Sequence, residues 1–402
     1  MALARCGMNW TAVEEAGKGW KLLADQAIAA RDDITQRGLG PVNENWPDMV
    51  GDAAGRHLKT LADKYDSAGL LLNSVGMVVN GLANALEVAQ DELATAIELA
   101  DRQQFRVDDD GRVTWVGPGV PDGEPEITEQ YERIRRMVAD ALEAAHQADV
   151  LVADELAKLT AATGITNPDD ASGMNNTAAR AQIQLISYAV PWGQPPEVVA
   201  AWWAGLSDAQ RRDLKLAAPI DLHDLPGIPD DVKRELVGPG SYNRIEALRY
   251  ARDHWDDNSL DRYENNCTHF VSLAMWHGGG AREYNDDDWL IFDSDTDWYE
   301  PGTYLKDSKP WSQAQASHDF WASHGQEVIS NDVTPGDIVY WRNPDGQVHH
   351  AAVVSSVSPD GDIHYTQHTN SMRDGSLDGR LPQTEQSGGR QDVIFIRPNP
   401  DW

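Results

Sequence analysis

One cysteine in this chain stands where a thiol can do chemistry. In Tyr263-Glu264-Asn265-Asn266-Cys267-Thr268-His269-Phe270-Val271-Ser272 a polar stretch gives way to Phe270, Val271, Ala274 and Met275 at helical spacing, and Gly278-Gly279-Gly280 then stops the run. The pattern predicts a loop-to-helix junction with Cys267 on the first turn. There the unpaired backbone N–H groups and the positive end of the helix dipole favour the thiolate, which is the nucleophilic form. The plain alternative is a buried structural cysteine, the commoner fate of a lone thiol. The other cysteine, Cys6, lies in an unpatterned N-terminus.

A nucleophilic thiol needs a base, and histidines follow downstream: His349 and His350 in the strand-like run Val348 to Val357, then His364 and His368 in the next. A neutral imidazole takes the thiol proton, the thiolate attacks an amide carbonyl, the imidazolium protonates the leaving amine, and water clears the acyl-enzyme. The backbone N–H groups at the start of the Cys267 helix are the natural oxyanion donors, with Asn266 as support. A third group must fix the imidazole tautomer, and the second run offers Gln367, His368 and Asn370. If Pro359-Asp360-Gly361 forms a three-residue hairpin loop, Ser358 pairs with Asp362. That register sets Asn370 opposite His350, puts His368 one pair away on the same face and turns Gln367 outward. It favours His368; a bulge would reverse the faces and bring in Gln367.

Two metal readings compete. His349, His350, His364 and His368 could hold zinc, but their spacing is not diagnostic and Cys267 would have no role, so no metal or other cofactor is expected. The acidic run Asp293-Ser294-Asp295-Thr296-Asp297 lacks the glycine of a calcium loop and has Tyr304 where the closing Glu belongs, so it reads as a solvated loop.

The positioning elements can be outlined. A helix from Arg244 to Trp255 precedes the Cys267 helix. A loop-rich region, Glu283 to Gly325, carries Trp289, Trp298, Trp311 and Trp321, which fill the core or wall a cleft. Strand patterns follow at Asp337–Trp341, Val348–Val357, Asp362–Thr369 and Asp392–Ile396. Upstream, Asn9 to Phe105 is helical, with breaks expected at Gly38-Leu39-Gly40-Pro41 and near Ser74-Val75-Gly76. Trp10, Val13, Ala16, Trp20, Leu22, Leu23, Ala27 and Ile28 mark the apolar face of the first helix, and Leu58, Leu61, Tyr65 and Leu72 that of the second. Short connections imply an antiparallel bundle. Next come a hairpin around Asp110-Gly111, a long helix from Ile127 to Thr163 packing back on the bundle, a loop from Thr163 to Thr177, a helix from about Ala178 to Tyr188, and two short helices across Pro195 to Leu214. The paired Trp202 and Trp203 read as helix-packing residues.

At 402 residues the chain calls for more than one domain. A formal net charge of −32 repels phosphate backbones and anionic lipid surfaces, which argues against nucleic acid and membrane partners. Two distant cysteines make no disulfide framework, and neither a secretory signal nor an uninterrupted apolar span is visible.

Three stretches resemble known families. Asn266-Cys267-Thr268-His269-Phe270-Val271-Ser272, Thr334-Pro335-Gly336-Asp337, His349-His350-Ala351-Ala352-Val353-Val354 and Thr366-Gln367-His368-Thr369-Asn370, in this order, resemble the bacterial "putative amidase" domain of the papain-like superfamily, similar in layout to NlpC-type and CHAP-type peptidoglycan hydrolases. The resemblance implies Cys267 as nucleophile and His350, not His349, as general base; the CHAP layout is compatible with Gln367. This chain departs from the family's Asp-Cys-Thr-Asn-Phe-Val-Ser-Gln at Asn266, His269 and Leu273. The N-terminal hairpin, with Trp46-Pro47-Asp48-Met49-Val50-Gly51 at its turn, resembles WXG-type cargo of type VII secretion, although four residues rather than one separate Trp46 and Gly51. No Tyr-x-x-x-Asp/Glu signal stands just after the hairpin; Tyr242…Glu246 and Tyr284…Asp288 have the spacing but fall in the C-terminal region, where chance explains them. Pro195 to Leu214, with Trp202-Trp203, and Leu225 to Arg234 resemble the connector that joins such heads to variable enzyme or toxin domains in actinobacteria.

The expectation is a multidomain protein. Residues 1–105 form a WXG-like all-α helical bundle, residues 106–239 a small hairpin, long helix and Trp-Trp connector, and residues 240–402 an α+β papain-like amidase domain with an antiparallel sheet. It is expected to be an effector exported by a leaderless type VII-like route and cleaving peptidoglycan peptide or amide bonds. A secretion partner or chaperone for the helical domain and an immunity protein are the expected partners. A protein-directed protease or deamidase toxin, or an interaction protein without turnover, are the alternatives.

Overall fold

The computed structural model describes residues 9–118, 125–285, 296–300, 308–379 and 392–402. Cys6, Trp289, Asp293, Asp295 and Tyr304 lie outside them. The chain divides into two compact units, Met1–Met174 with Ala181–Ser207, and Asn175–Arg180 with Asp208–Trp402. The first is helical; the second carries an antiparallel sheet.

In the helical unit, α1 (Trp10–Asp33) starts at the Asn9 cap, whose side chain accepts from the Thr11 amide. The expected break at Gly38–Pro41 is a π-type turn, Ile34–Leu39, running into a short α2 (Gly40–Asn45). Asp48 then caps α3 (Met49–Arg102), accepting from the amides of Val50 and Gly51. No break occurs near Ser74–Gly76: α3 is continuous over 54 residues. The Ser74 hydroxyl returns to the Leu70 carbonyl at 2.7 Å, and Gly76 serves close packing, since a Cβ there would lie 2.7 Å from Lys21 Cγ. The contact of α1 with α3 is therefore made by small residues, Gly17, Ala24 and Ala27 against the Gly69 and Gly76 side of α3. Part of the face expected from periodicity lies outside this contact, since Trp20, Leu22, Leu23, Leu61 and Tyr65 are exposed, while Ala27 is buried and Ile28 lies against Gly69.

The hairpin β1 (Phe105–Val107) and β2 (Val113–Trp115) follows, then α4 (Pro125–Ala161). Leu86, Leu93 and Ala96 of α3 pack with Phe105 and with Ile134, Val138 and Ala141 of α4 in one buried cluster. Helix α5 (Pro168–Ser187) begins ten residues earlier than the expected Ala178, because Asn167 caps it and Pro168 occupies its first turn. In α6 (Pro196–Gly205), Trp203 is buried and Trp202 partly so, a packing role for both. One 18-residue window of α3 has a mean hydropathy of 1.4, but 72% of it is buried within the protein, as in a core helix.

The sheet unit opens with α7 (Asp208–Ala217), α8 (Pro219–Asp224), α9 (Asp230–Val237) and α10 (Arg244–His254). Helix α11 (Cys267–Leu273) ends in a π-type turn, Ala274–Gly278, and α12 (Lys309–Ser312) and α13 (Ala314–His324) precede the sheet. The strands are β3 (Gly325–Val328), β4 (Ile338–Arg342), β5 (Val348–Val357), β6 (Ile363–Gln367), β7 (Met372–Ser376) and β8 (Asp392–Pro398). Their order is β3-β8-β4-β5-β6-β7, all antiparallel. Both strands the sequence did not reveal, β3 and β7, are short polar edge strands with no alternation to read. Trp298, Trp311 and Trp321 are fully buried. At the start of β4, buried Asp337 accepts two 2.9 Å bonds from Arg397 of β8 and one from the Thr334 amide, fixing the Thr334-Pro335-Gly336-Asp337 turn.

Candidate active site

Cys267 is the first residue of α11 and is 4% exposed. Asn266 shapes the loop before it. Its Oδ1 accepts from the amides of Arg262 and Tyr263, both at 2.9 Å, and its Nδ2 donates to the Tyr263 carbonyl and to Asp261. Asn266 was expected to support an oxyanion, but both ends of its amide are committed to this loop. Asn265 Oδ1 accepts from the Cys267 amide at 3.2 Å. The thiol receives the Ala351 backbone N–H and lies 3.7 Å from the Thr268 hydroxyl; burial pushes its pKa up, and these hydrogen bonds oppose that rise. Ala351 directly follows His350, so the thiol abuts the β5 backbone beside that histidine.

The β5–β6 hairpin sets which residue of β6 meets His350. Ser358 and Asp362 do pair across a three-residue loop, the Ser358 amide reaching the Asp362 carbonyl at 2.9 Å. Beyond it, Val357 pairs with Ile363 and Ser356 with His364, but Val354 pairs with Tyr365 and Val353 with Thr366. Ser355 is the extra residue of a bulge that slips the register by one. The slip corrects the even register: Gln367 turns inward and meets His350, Nε2 to Oε1, at 2.7 Å, while His368 and Asn370 do not. A second bulge, at His349, separates the Trp341–His350 and Arg342–Val348 pairs. His350 is fully buried with its ring 5.0 Å from that of Trp341, and His349 is half-buried.

The hydrogen bonds also determine the tautomer. Gln367 Nε2 donates to the carbonyls of Asn370 at 3.1 Å and Thr369 at 3.4 Å, which can only accept. Gln367 therefore turns its carbonyl to His350, and His350 Nε2 must carry the proton. In the neutral ring this makes Nδ1 the basic nitrogen.

His368 is 1% exposed and is held elsewhere. Its Nδ1 lies 2.8 Å from the Trp255 carbonyl and its Nε2 2.8 Å from Asp261 Oδ1, and its ring stacks on Phe270. His269 accepts from Trp311 Nε1 at 2.8 Å through Nδ1. Burial, with Arg262 and His368 nearby, pushes its pKa down to about 4, so it is a neutral core residue. Ser272 extends this anchoring, donating to the Trp311 carbonyl and accepting from Trp298. His364 is fully buried in β6. Among the described residues no three His, Cys, Asp or Glu side chains gather as a metal set.

Residues the sequence did not single out hold the site together: Asp261, Thr369 and Trp341. Thr369 Oγ1 accepts from the Asn266 amide at 2.7 Å. No local pattern gives Asp261 or Thr369 its role: the Asp261–His368 and Thr369–Asn266 bonds each join residues more than a hundred positions apart. Trp341 reads from sequence only as a strand residue.

Residues 241–389 match the family model described as "Putative amidase domain". The C-terminal region is thus amidase-like, which fits amide hydrolysis. No curated protein and no solved structure matches the chain.

Proposed function

We propose that the sheet unit is a papain-like cysteine amide hydrolase with Cys267 as nucleophile, His350 as general base and Gln367 as the residue that orients His350. The reading rests on one observation: Gln367, its own amide held by the Asn370 carbonyl, fixes the His350 proton on Nε2 and leaves Nδ1 as the base, in the residue next to the amide that meets the thiol. His350 takes the Cys267 proton, the thiolate adds to the amide carbonyl, and the collapsing intermediate expels an amine protonated by the imidazolium. Water, deprotonated by the same ring, releases the acid. The oxyanion donors are backbone N–H groups at the α11 start, and Asn265 must yield the Cys267 amide for that amide to serve.

The proposed substrate is a peptidoglycan peptide or amide bond. Purified protein incubated with cell-wall sacculi releases amide-cleaved fragments detectable by mass spectrometry, and Cys267→Ser releases none; absence of such fragments from the wild type overturns the assignment. The helical unit is proposed as the export element of a type VII-like route, with a secretion partner and an immunity protein as partners. Its support is the helical hairpin turning at Trp46, where a Cβ on Gly51 would collide with the Trp46 carbonyl. Export by the producing bacterium, measured with and without Trp46→Ala, tests this. The rival reading is an interaction protein without turnover, favoured by the burial that pushes the Cys267 thiol up. It prevails if Cys267→Ala leaves every activity of the protein unchanged.

A further inference from the structure

We propose that Asp261 and His368 are a positioning pair, holding the Cys267 loop against the strand end that carries Gln367 and so keeping the thiol in register with His350. The inference rests on the cysteine-hydrolase reading above. His368 is buried at the end of β6 and joins two separate segments, its Nδ1 facing the Trp255 carbonyl after α10 and its Nε2 facing Asp261, 2.8 Å each. The same Asp261 oxygen accepts from Asn266 Nδ2 at 3.1 Å. Asn266, the residue before the thiol, donates its backbone N–H to Thr369 Oγ1 at 2.7 Å. The Thr369 and Asn370 carbonyls in turn hold the Gln367 amide. Two chains of hydrogen bonds, one from the Cys267 loop and one from the His350–Gln367 pair, thus meet in residues 367–370.

The backbone there records the constraint. Thr369 and Asn370 adopt φ of 68° and 51°, and a β-branched residue such as Thr369 takes the left-handed region only when its surroundings impose it. Asp257 on the loop after α10 and His269 of α11 are the other titratable groups interacting with His368, and Arg262 lies near His269.

The test is alkylation of Cys267 by iodoacetamide across pH, read on the Cys267 peptide by mass spectrometry in the full-length protein, beside thermal denaturation. Wild type reacts through a His350-dependent arm near neutral pH that His350→Ala lacks. Asp261→Ala is expected to slow the reaction near neutral pH about tenfold and shift the profile toward that of His350→Ala, with thermal stability little changed, and Asp261→Glu to restore most of it. Thr369→Val, which removes only the hydroxyl acceptor, is expected to act in the same direction and keeps the question open to decision if Asp261→Ala does not fold. Folded Asp261→Ala, or failing that folded Thr369→Val, with a wild-type profile overturns the positioning role. A wild-type profile identical to that of His350→Ala instead overturns the underlying Cys–His reading.

Discussion

His350 Nε2 and Gln367 Oε1 meet at 2.7 Å across β5 and β6, and one extra residue, Ser355, makes the meeting possible. Without the bulge the two side chains would lie on opposite faces of the hairpin. Gln367→Ala should leave the fold intact and lower amide-bond turnover roughly a hundredfold, the scale expected when a general base is no longer held in its working tautomer. Turnover of sacculi by Gln367→Ala equal to wild type would remove Gln367 from the mechanism. Deleting Ser355 should reproduce the loss by restoring the even register.

The Cys267 thiol is pushed up by burial, so its neutral form is favoured in the folded protein. A raised folded pKa contributes stability that is fully present below the unfolded thiol value and is lost as pH rises through the folded one. The predicted signature is a drop in melting temperature on the alkaline side that Cys267→Ala lacks, measured by thermal scans above pH 8 with Cys6 unchanged in both proteins.

The thiol at a helix start, the four strand patterns and the hairpin loop at Pro359-Asp360-Gly361 were legible because each depends on local periodicity or turn chemistry. The choice between Gln367 and His368 was not, because it depends on Ser355, and no feature of Val-Ser-Ser-Val announces which residue is extra. The same limit appears in the helical unit. Trp20, Leu22 and Leu23 follow the apolar period, yet the glycines at positions 17, 69 and 76 bring α1 so close to α3 that the small residues make the contact. Asp261 is not marked in the sequence because one of its two partners, His368, is distant and the other, Asn266, belongs to a loop whose turn no local pattern announces.

His269 provides a pH test with the opposite sign. Its pKa falls to about 4 in the fold, against an ordinary value near 6.5. The unfolded chain therefore binds the proton first, and the associated stability, fully present above about pH 6.5, is lost as pH falls toward 4, by about 3 kcal/mol at most. Denaturant melts of wild type and His269→Asn between pH 7 and 4 should converge as the pH falls, since Asn carries no such penalty. Parallel curves would assign the acid sensitivity to other groups.

Asp337 is 1% exposed and its carboxylate is held by two bonds from Arg397. Arg397→Met leaves that charge buried with only the Thr334 amide and hydroxyl as donors and should cost about 3 kcal/mol. Adding Asp337→Asn removes the stranded charge, so the double variant should be more stable than the Arg397→Met single at pH 7 by urea melts. Additive losses would mean that the pair does not act as one unit.

Two glycines in the helical unit separate close packing from helix propensity. Gly19 sits within α1 with nothing within 4 Å of a Cβ built on it, so Gly19→Ala should stabilise the unit by up to about 1 kcal/mol through the lower entropy cost of fixing alanine in a helix. Gly51 lies in the first turn of α3, where a Cβ would collide with the Trp46 carbonyl. Backbone cannot swing aside as a side chain can, so Gly51→Ala must move the turn and should destabilise by about 1–3 kcal/mol. Thermal scans of the two variants should therefore shift in opposite directions. A Gly51→Ala protein as stable as wild type would show that the Trp46 turn has room to relax and that its glycine is not required by packing.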